Sequence, residues 1–203
     1  MVLVGFDTGF FSNNLISEKA VPEVELNHQI FKDIRYISKD DLDGVDKIIH
    51  LAAISNDPIG NQFEKVTYEI NRDASQRLLK FAVEKKVNNF VFASSCSVYG
   101  ACEKPNINEK EPVNPLTAYA KSKNEFEEFA LEYDCKDLIF TSLRFATACG
   151  SSPRLRFDLA INDFIVSAYL TKTIILNSKG NAWRPFIDVN DMCKAIHWAL
   201  LRK

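Results

Sequence analysis

MVLVGFDTGFFSNNLI, residues 1–16, decides how the rest of the chain is read. Its apolar start, Val2 to Phe6, is of strand type. The residues after Phe6 can be taken in two ways. DTGFF can be a degenerate glycine-rich turn leading from a strand into a helix. Alternatively, the strand simply ends at Asp7, with a loop behind it. The first reading makes Gly9 the important residue and the second makes it Asp7.

Four more apolar runs are short, continuous and rich in β-branched or aromatic residues: Gln29 to Ile34, Lys47 to Leu51 (KIIHL), Asn89 to Ala93 (NFVFA) and Leu138 to Leu143 (LIFTSL). Buried parallel strands have this character. Helical patterns lie between them. Phe63 to Lys86 places Val66, Ile70, Ala74, Leu78, Leu79, Ala82 and Val83 at spacings of three and four, and Thr117 to Tyr133 forms a second helix. Alternation of this kind predicts an α/β fold, a doubly wound parallel sheet with its functional loops at the strand carboxyl ends. Beyond Gly150 the pattern loosens. It reads as a helix over Leu159 to Leu170, short strands at Ile174 to Leu176 and Phe186 to Val189, and a last helix from Asp191 to Leu201. Residues 1–150 are expected to form the main domain and 151–203 a partial second region.

Composition narrows the partners. The chain has 203 residues, 46% hydrophobic and 26% charged, with a formal net charge of -2. That balance suits a sizeable core and predicts neither nucleic acid nor an anionic membrane as partner. Five cysteines form no C-x-x-C pair, and with three histidines there is no zinc-type cluster. Reduced thiols are expected. No signal peptide, spanning apolar run or Asn-x-Ser/Thr sequon is present, so the cytoplasm is the expected compartment.

The chemistry concentrates in two stretches. In TAYAKSK, Tyr119 and Lys123 are spaced i, i+4 and share one helix face. An ammonium beside a phenol favours phenolate and lowers its pKa from about 10. A tyrosine so tuned can accept a proton from an alcohol near neutral pH. In FASSCSVYG, a strand ends in Ser94, Ser95, Cys96 and Ser97, and Ser95 precedes Tyr119 by 24 residues. A hydroxyl there can orient a substrate oxygen, or merely bond its own turn. Two further strand exits, KDIR at Asp33 and Ile34 and HLAA at Leu51, Ala52 and Ala53, place small or polar residues where a flat ligand could approach the backbone.

Together these stretches resemble the extended short-chain dehydrogenase/reductases, the NAD-dependent epimerase/dehydratase family acting on nucleotide sugars. KDIR, HLAA, the helix with Asn71, SSxSVYG, YAKSK, LRFATACG and RPFIDVND occur in the expected order along nearly the whole chain. The resemblance implies a Rossmann-type fold, NAD as cofactor, a nucleotide-sugar substrate and a homodimer formed through Phe63–Lys86 and Thr117–Tyr133. It assigns Ser95, Tyr119 and Lys123 to catalysis, with Lys123 also on the nicotinamide ribose. It assigns Asp33 and Ile34 to adenine, and Leu51, Ala52 and Ala53 to the cofactor's ribose and phosphates. Arg184 would pair with the substrate diphosphate and Asn162 with the substrate. The plainer alternatives are a surface ion pair for Arg184 and a polar helix face for Asn162. The implied reaction is transient oxidation of the sugar to a keto-sugar, with Tyr119 as acid/base. Dehydratases of the 4,6 type carry an Asp-Glu pair directly after the serine. Cys96 and Ser97 stand there instead, which leaves epimerisation or simple reduction. The competing reading is a non-catalytic module of the same fold; retention of both Tyr119 and Lys123 argues against it.

Spacing now separates the two readings of the opening. Only 23 residues lie between Gly9 and Asp33. A helix of about 11 residues, a strand of about 5 and their connections nearly exhaust that interval. Phe6, Asp7 and Ser12 would also occupy positions where a phosphate loop needs glycine. VGFDTGFF is therefore expected to be the second strand of the fold, with Asp7 at its end on the adenosine ribose, or else a turn aspartate. In the usual order 3-2-1-4-5-6 the first strand is central. The present strands two and four would then lack a shared neighbour, and the chain reads as incomplete at its start.

Overall fold

The computed structural model describes residues 1–15, 25–55, 57–101, 106–176 and 184–203. Its first strand, β1 (Val4–Asp7), pairs in parallel with β2 (His28–Phe31), with Asp7 opposite Phe31. Next come β3 (Lys47–His50), a short helix α1 (Asp57–Gln62) and α2 (Glu64–Tyr68). A π-helical turn over Glu69–Asp73 leads into α3 (Ala74–Glu84). The chain continues through β4 (Asn89–Ser95), α4 (Ala118–Glu132), β5 (Ile139–Phe145), β6 (Thr147–Cys149), α5 (Ala160–Thr171), β7 (Phe186–Asp188) and α6 (Val189–Leu200).

All strand pairing among the described residues is parallel, in three sheets: β1-β2, β3-β4-β5 and β6-β7. Among the described residues β1 pairs with β2 alone and β3 with β4 alone. Both faces of β4 are covered, which gives the doubly wound arrangement. Phe90 and Phe92 point toward α4, where the Phe92 and Phe126 rings lie 4.6 Å apart, edge to face. The opposite face meets α6, where the Asn89 amide donates to the Arg202 carbonyl at 3.0 Å. The core runs through Leu78, Leu79, Ala82, Phe90, Phe92 and Phe126. These residues come from the 3.6-residue stripe of α3, one face of β4 and α4.

Two expectations are corrected, and one strand was not foreseen. Ile174 to Leu176 forms no strand; its side chains are exposed and, among the described residues, no ladder partner meets its backbone. The long helix expected over Phe63–Lys86 is interrupted by the π turn at Glu69–Asp73. The β6 strand, three residues long, has too little apolar pattern to stand out in LRFATACG. Residues 16–24 of the loop behind Asp7 lie outside the described residues, as does Cys102. The described cysteines, Cys96, Cys135, Cys149 and Cys193, are all free thiols.

Candidate active site

Thr117 fixes the start of α4: its hydroxyl accepts from the Ala120 amide at 3.1 Å. Asn61, on α1, accepts from the Ala118 amide at 3.1 Å. The first turn of α4 is therefore held from inside and outside the helix, and that turn carries Tyr119. One turn on, Lys123 is buried, and its Nζ donates to the Ala93 carbonyl of β4 at 2.8 Å. The ammonium sits 4.5 Å from the Phe92 ring centre and 5.7 Å from that of Tyr119. Burial pulls Lys123 down to about 7, while Glu127 pushes the other way. The helix bearing Tyr119 and Lys123 is thus tied to the strand that ends in Ser95.

Ser95 closes β4 and caps the 3-10 turn Cys96–Tyr99. Its Oγ accepts from the Ser97 amide at 3.2 Å and from the Ser97 hydroxyl at 2.9 Å. The Cys96 thiol is pushed up by burial, an effect that the positive charge of Arg184 opposes. Arg184 is exposed, two residues ahead of β7, and close enough to act on this turn. Buried beside Ser95, the Ser94 Oγ has no hydrogen-bond partner among the described residues.

The carboxyl ends of β1, β2 and β3 enclose a cavity of about 150 Å³, lined among others by Asp7, Asp33, Ile34, Ala52 and Ala53. Five of the six residues expected on the cofactor from these strands therefore meet in one place. Leu51 does not line it; its side chain is more than half exposed. Asp7 Oδ1 accepts from the Gly9 amide at 2.6 Å, so the turn role expected as the alternative for Asp7 coexists with a place in the cavity wall. Gly9 makes that turn at φ +67, and a side chain there would press on the Phe31 ring. Asp33 is engaged by Arg35 through a 2.7 Å ion pair, which holds its carboxyl below the usual range.

Asn162 is buried in α5, and its amide donates to the Arg156 carbonyl at 3.0 Å. The bond holds the loop that carries Arg154 and Arg156. Arg154 stacks 3.5 Å over the Phe11 ring, and Arg156 reaches the Ser55 hydroxyl at 3.1 Å. That loop therefore lies against both the loop after β1 and the one after β3.

Two features went unassigned in the sequence. Asn71, fully buried in the π turn, accepts from the Ile54 amide at 2.8 Å and donates to the Ile54 carbonyl at 3.0 Å. It also donates to the Ser122 hydroxyl at 3.2 Å. One side chain thus joins the cavity wall to the residue preceding Lys123. The second feature is Glu127, which accepts two-pronged bonds from Arg144 at 2.6 and 2.9 Å. Its spacing of four from Lys123 was the available signal. Among the described residues there is no cluster suited to a metal ion, and no helix is long and apolar enough to cross a membrane.

The model of the NAD dependent epimerase/dehydratase family matches residues 10–203. An uncharacterized UDP-glucose epimerase, YtcB, of Bacillus subtilis (strain 168) is 34% identical over 158 residues, covering 76% of this chain and 49% of its own length. MoeE5, solved with UDP-glucose and NAD, is 25% identical with a TM-score of 0.79, covering 98% of this chain and 72% of its own. The UDP-glucuronic acid 4-epimerase of Bacillus cereus, solved with UDP-glucuronic acid and NAD, shares the fold at a TM-score of 0.84 and 24% identity, covering 100% and 66%. The chain spans about half the length of the curated relatives it matches. The tie between the Tyr119–Lys123 helix and the Ser95 strand, the cavity at three strand ends, and a family match along nearly the whole chain agree: the chain belongs to the NAD dependent epimerase/dehydratase family.

Proposed function

We propose that the chain acts in NAD-dependent epimerisation of a nucleotide sugar, or in a related oxidoreduction, with Tyr119 as acid/base. One observation carries this reading: Lys123, buried and fixed to the Ala93 carbonyl, holds its ammonium 5.7 Å from the Tyr119 ring at the end of the Ser95 strand. NAD suits the strand-end cavity, since Ala52 and Ala53 keep its wall shallow and Asp7 offers a carboxylate to ribose hydroxyls. Asp33 and Ile34 would meet the adenine and Lys123 the nicotinamide ribose. When bound, the cofactor accepts a hydride from the sugar carbon and returns it.

The chain's own groups do the rest. Ser95 orients the reacting hydroxyl. Tyr119, as phenolate beside the Lys123 cation, takes its proton and later gives it back. Arg184 offers a planar fork to the diphosphate. Asn162 steadies the loop beside the site and approaches the substrate from there. Loss of water through an adjacent acid/base pair is disfavoured, because Cys96 is held as a thiol by burial and the Ser97 hydroxyl is spent on Ser95. We place the protein in the cytoplasm, as a homodimer through α2–α3 and α4, where Leu131 is strongly exposed.

Calorimetric titration with NAD, followed by assay of UDP-glucose and UDP-glucuronic acid conversion, tests the reading. Ala53→Phe should abolish NAD binding with the circular dichroism unchanged. Tyr119→Phe should lower turnover by about 10²–10⁴-fold. Undiminished turnover in Tyr119→Phe overturns the catalytic role, and binding untouched by Ala53→Phe overturns the cofactor site.

A further inference from the structure

The turn that presents Ser95 is fastened from outside itself. Ser95 Oγ accepts from the amide and the hydroxyl of Ser97, so its place follows the shape of the Cys96–Tyr99 turn. The far end of that turn is anchored. The Val98 side chain is fully buried, and the Val98 carbonyl accepts from the Asn114 amide at 2.9 Å. The Tyr99 hydroxyl accepts from Arg144 Nη1 at 2.8 Å, and the guanidinium lies 5.0 Å from the Tyr99 ring centre. Arg144 stands on β5, opposite Ser94 in the β4–β5 register.

Arg144 is itself held in one orientation. Its Nη2 and Nε donate to Glu127 Oε2 at 2.6 and 2.9 Å, and Glu127 Oε1 accepts from the Ser142 hydroxyl at 2.8 Å. A guanidinium is planar, so two bonds along one edge fix the direction of the remaining Nη1. The Glu127 side chain is only 6% exposed, and leaving a buried carboxylate unpaired is costly, so the fork stays on it. Glu127 lies one helical turn beyond Lys123 on α4. Contacts therefore run from the helix of Tyr119 and Lys123, through Glu127 and Arg144, to the end of the Ser95 turn. None of Glu127, Arg144 and Tyr99 belongs to the proposed catalytic group. Stability of the ion pair does not call for a third donor aimed at the turn.

We propose that Arg144 is a positioning residue for Ser95: clamped by Glu127, it fixes Tyr99 and with it the turn that presents the Ser95 hydroxyl. This rests on the catalytic reading of Ser95.

Amide exchange, read residue by residue in the whole chain, tests the proposal without substrate. The Ser97 amide, bonded to Ser95 Oγ, and the Gly100 amide, which donates to the Ser97 carbonyl at 3.0 Å, report on the turn. The amides of Phe90 to Phe92 report on the core. Tyr99→Phe, which removes only the hydroxyl, should speed exchange in the turn about 10-fold and leave the core rates in place. Arg144→Lys, which keeps a cation for Glu127 and loses the fork, should do the same. If Arg144→Lys fails to fold, Tyr99→Phe decides. Rates unchanged in the turn, or raised equally in turn and core, overturn the proposal and leave Arg144 as a structural partner of Glu127. A double-mutant cycle in turnover supplies the link to Ser95. Tyr99→Phe should lower kcat about 10-fold by itself and cost nothing further once Ser95→Ala is present. Losses that multiply overturn the proposal. Turnover unaffected by Ser95→Ala refutes the catalytic reading of Ser95 while leaving the exchange result in place.

Discussion

His50 shows how a polar residue is accommodated in this core. Its Nε2 lies 2.7 Å from the Ser75 hydroxyl, which in turn donates to the Asn71 carbonyl at 2.7 Å. The Ser75 proton is thereby committed, so Nε2–H is the donor and Nδ1 is bare. Its ring stacks on Phe92 at 5.8 Å. Burial, with a smaller push from Lys123, lowers its pKa to about 3. The unfolded chain binds the His50 proton below about pH 6.5 and the folded chain does not. Stability should therefore fall with pH from about 6.5 toward 3, by about 1.4 kcal/mol per pH unit from this group alone. His50→Phe, which keeps the ring, should remove that part of the slope in urea titrations run between pH 6.5 and 4. An unchanged slope would contradict the assignment. At this scale Tyr119 and Lys123 could be read from spacing, because i, i+4 residues share a helix face in any fold. His50 and Glu127 could not, since their partners come from other elements.

Elements meet the site through their ends. The turn after β4 closes at Gly100, with φ +64 and ψ -147, a region that side chains rarely occupy. A Cβ there would stand 2.0 Å from the Asn114 carbonyl oxygen. Gly100→Ala should destabilise the chain by more than about 1 kcal/mol, read from the urea midpoint at constant m-value. A neutral effect would mean that the 114 segment moves freely away. The glycine of SVYG was visible in the sequence, but its neighbour fourteen residues on was not. The π turn was equally hidden. The apolar stripe of Phe63–Lys86 runs through it without a break, and the partners of Asn71 in that turn, Ile54 and Ser122, lie in other parts of the chain.

Across the molecule, stability should be uneven. β4 is flanked by β3 and β5 and covered by α4 and α6, whereas β1 and β2 form a two-stranded ladder with Val4 and Phe31 exposed. Such a ladder is marginal without further partners. Amide exchange should be slowest in Phe90 to Phe92 and faster by orders of magnitude in Gly5 to Asp7. Equal protection in the two ladders would show that β1 and β2 are held by more than each other. Local pattern and spacing were enough to establish the parallel α/β class, a strand near the start of the chain, found at Val4–Asp7, and the Tyr119–Lys123 pair, because each depends on period and distance along the chain. Tertiary structure alone decided that Leu51 stays out of the cavity lining, that Asp33 is held by Arg35, and that Glu127 is held by Arg144. Those outcomes depend on which side chains from separate elements share one buried volume, and no local period records that.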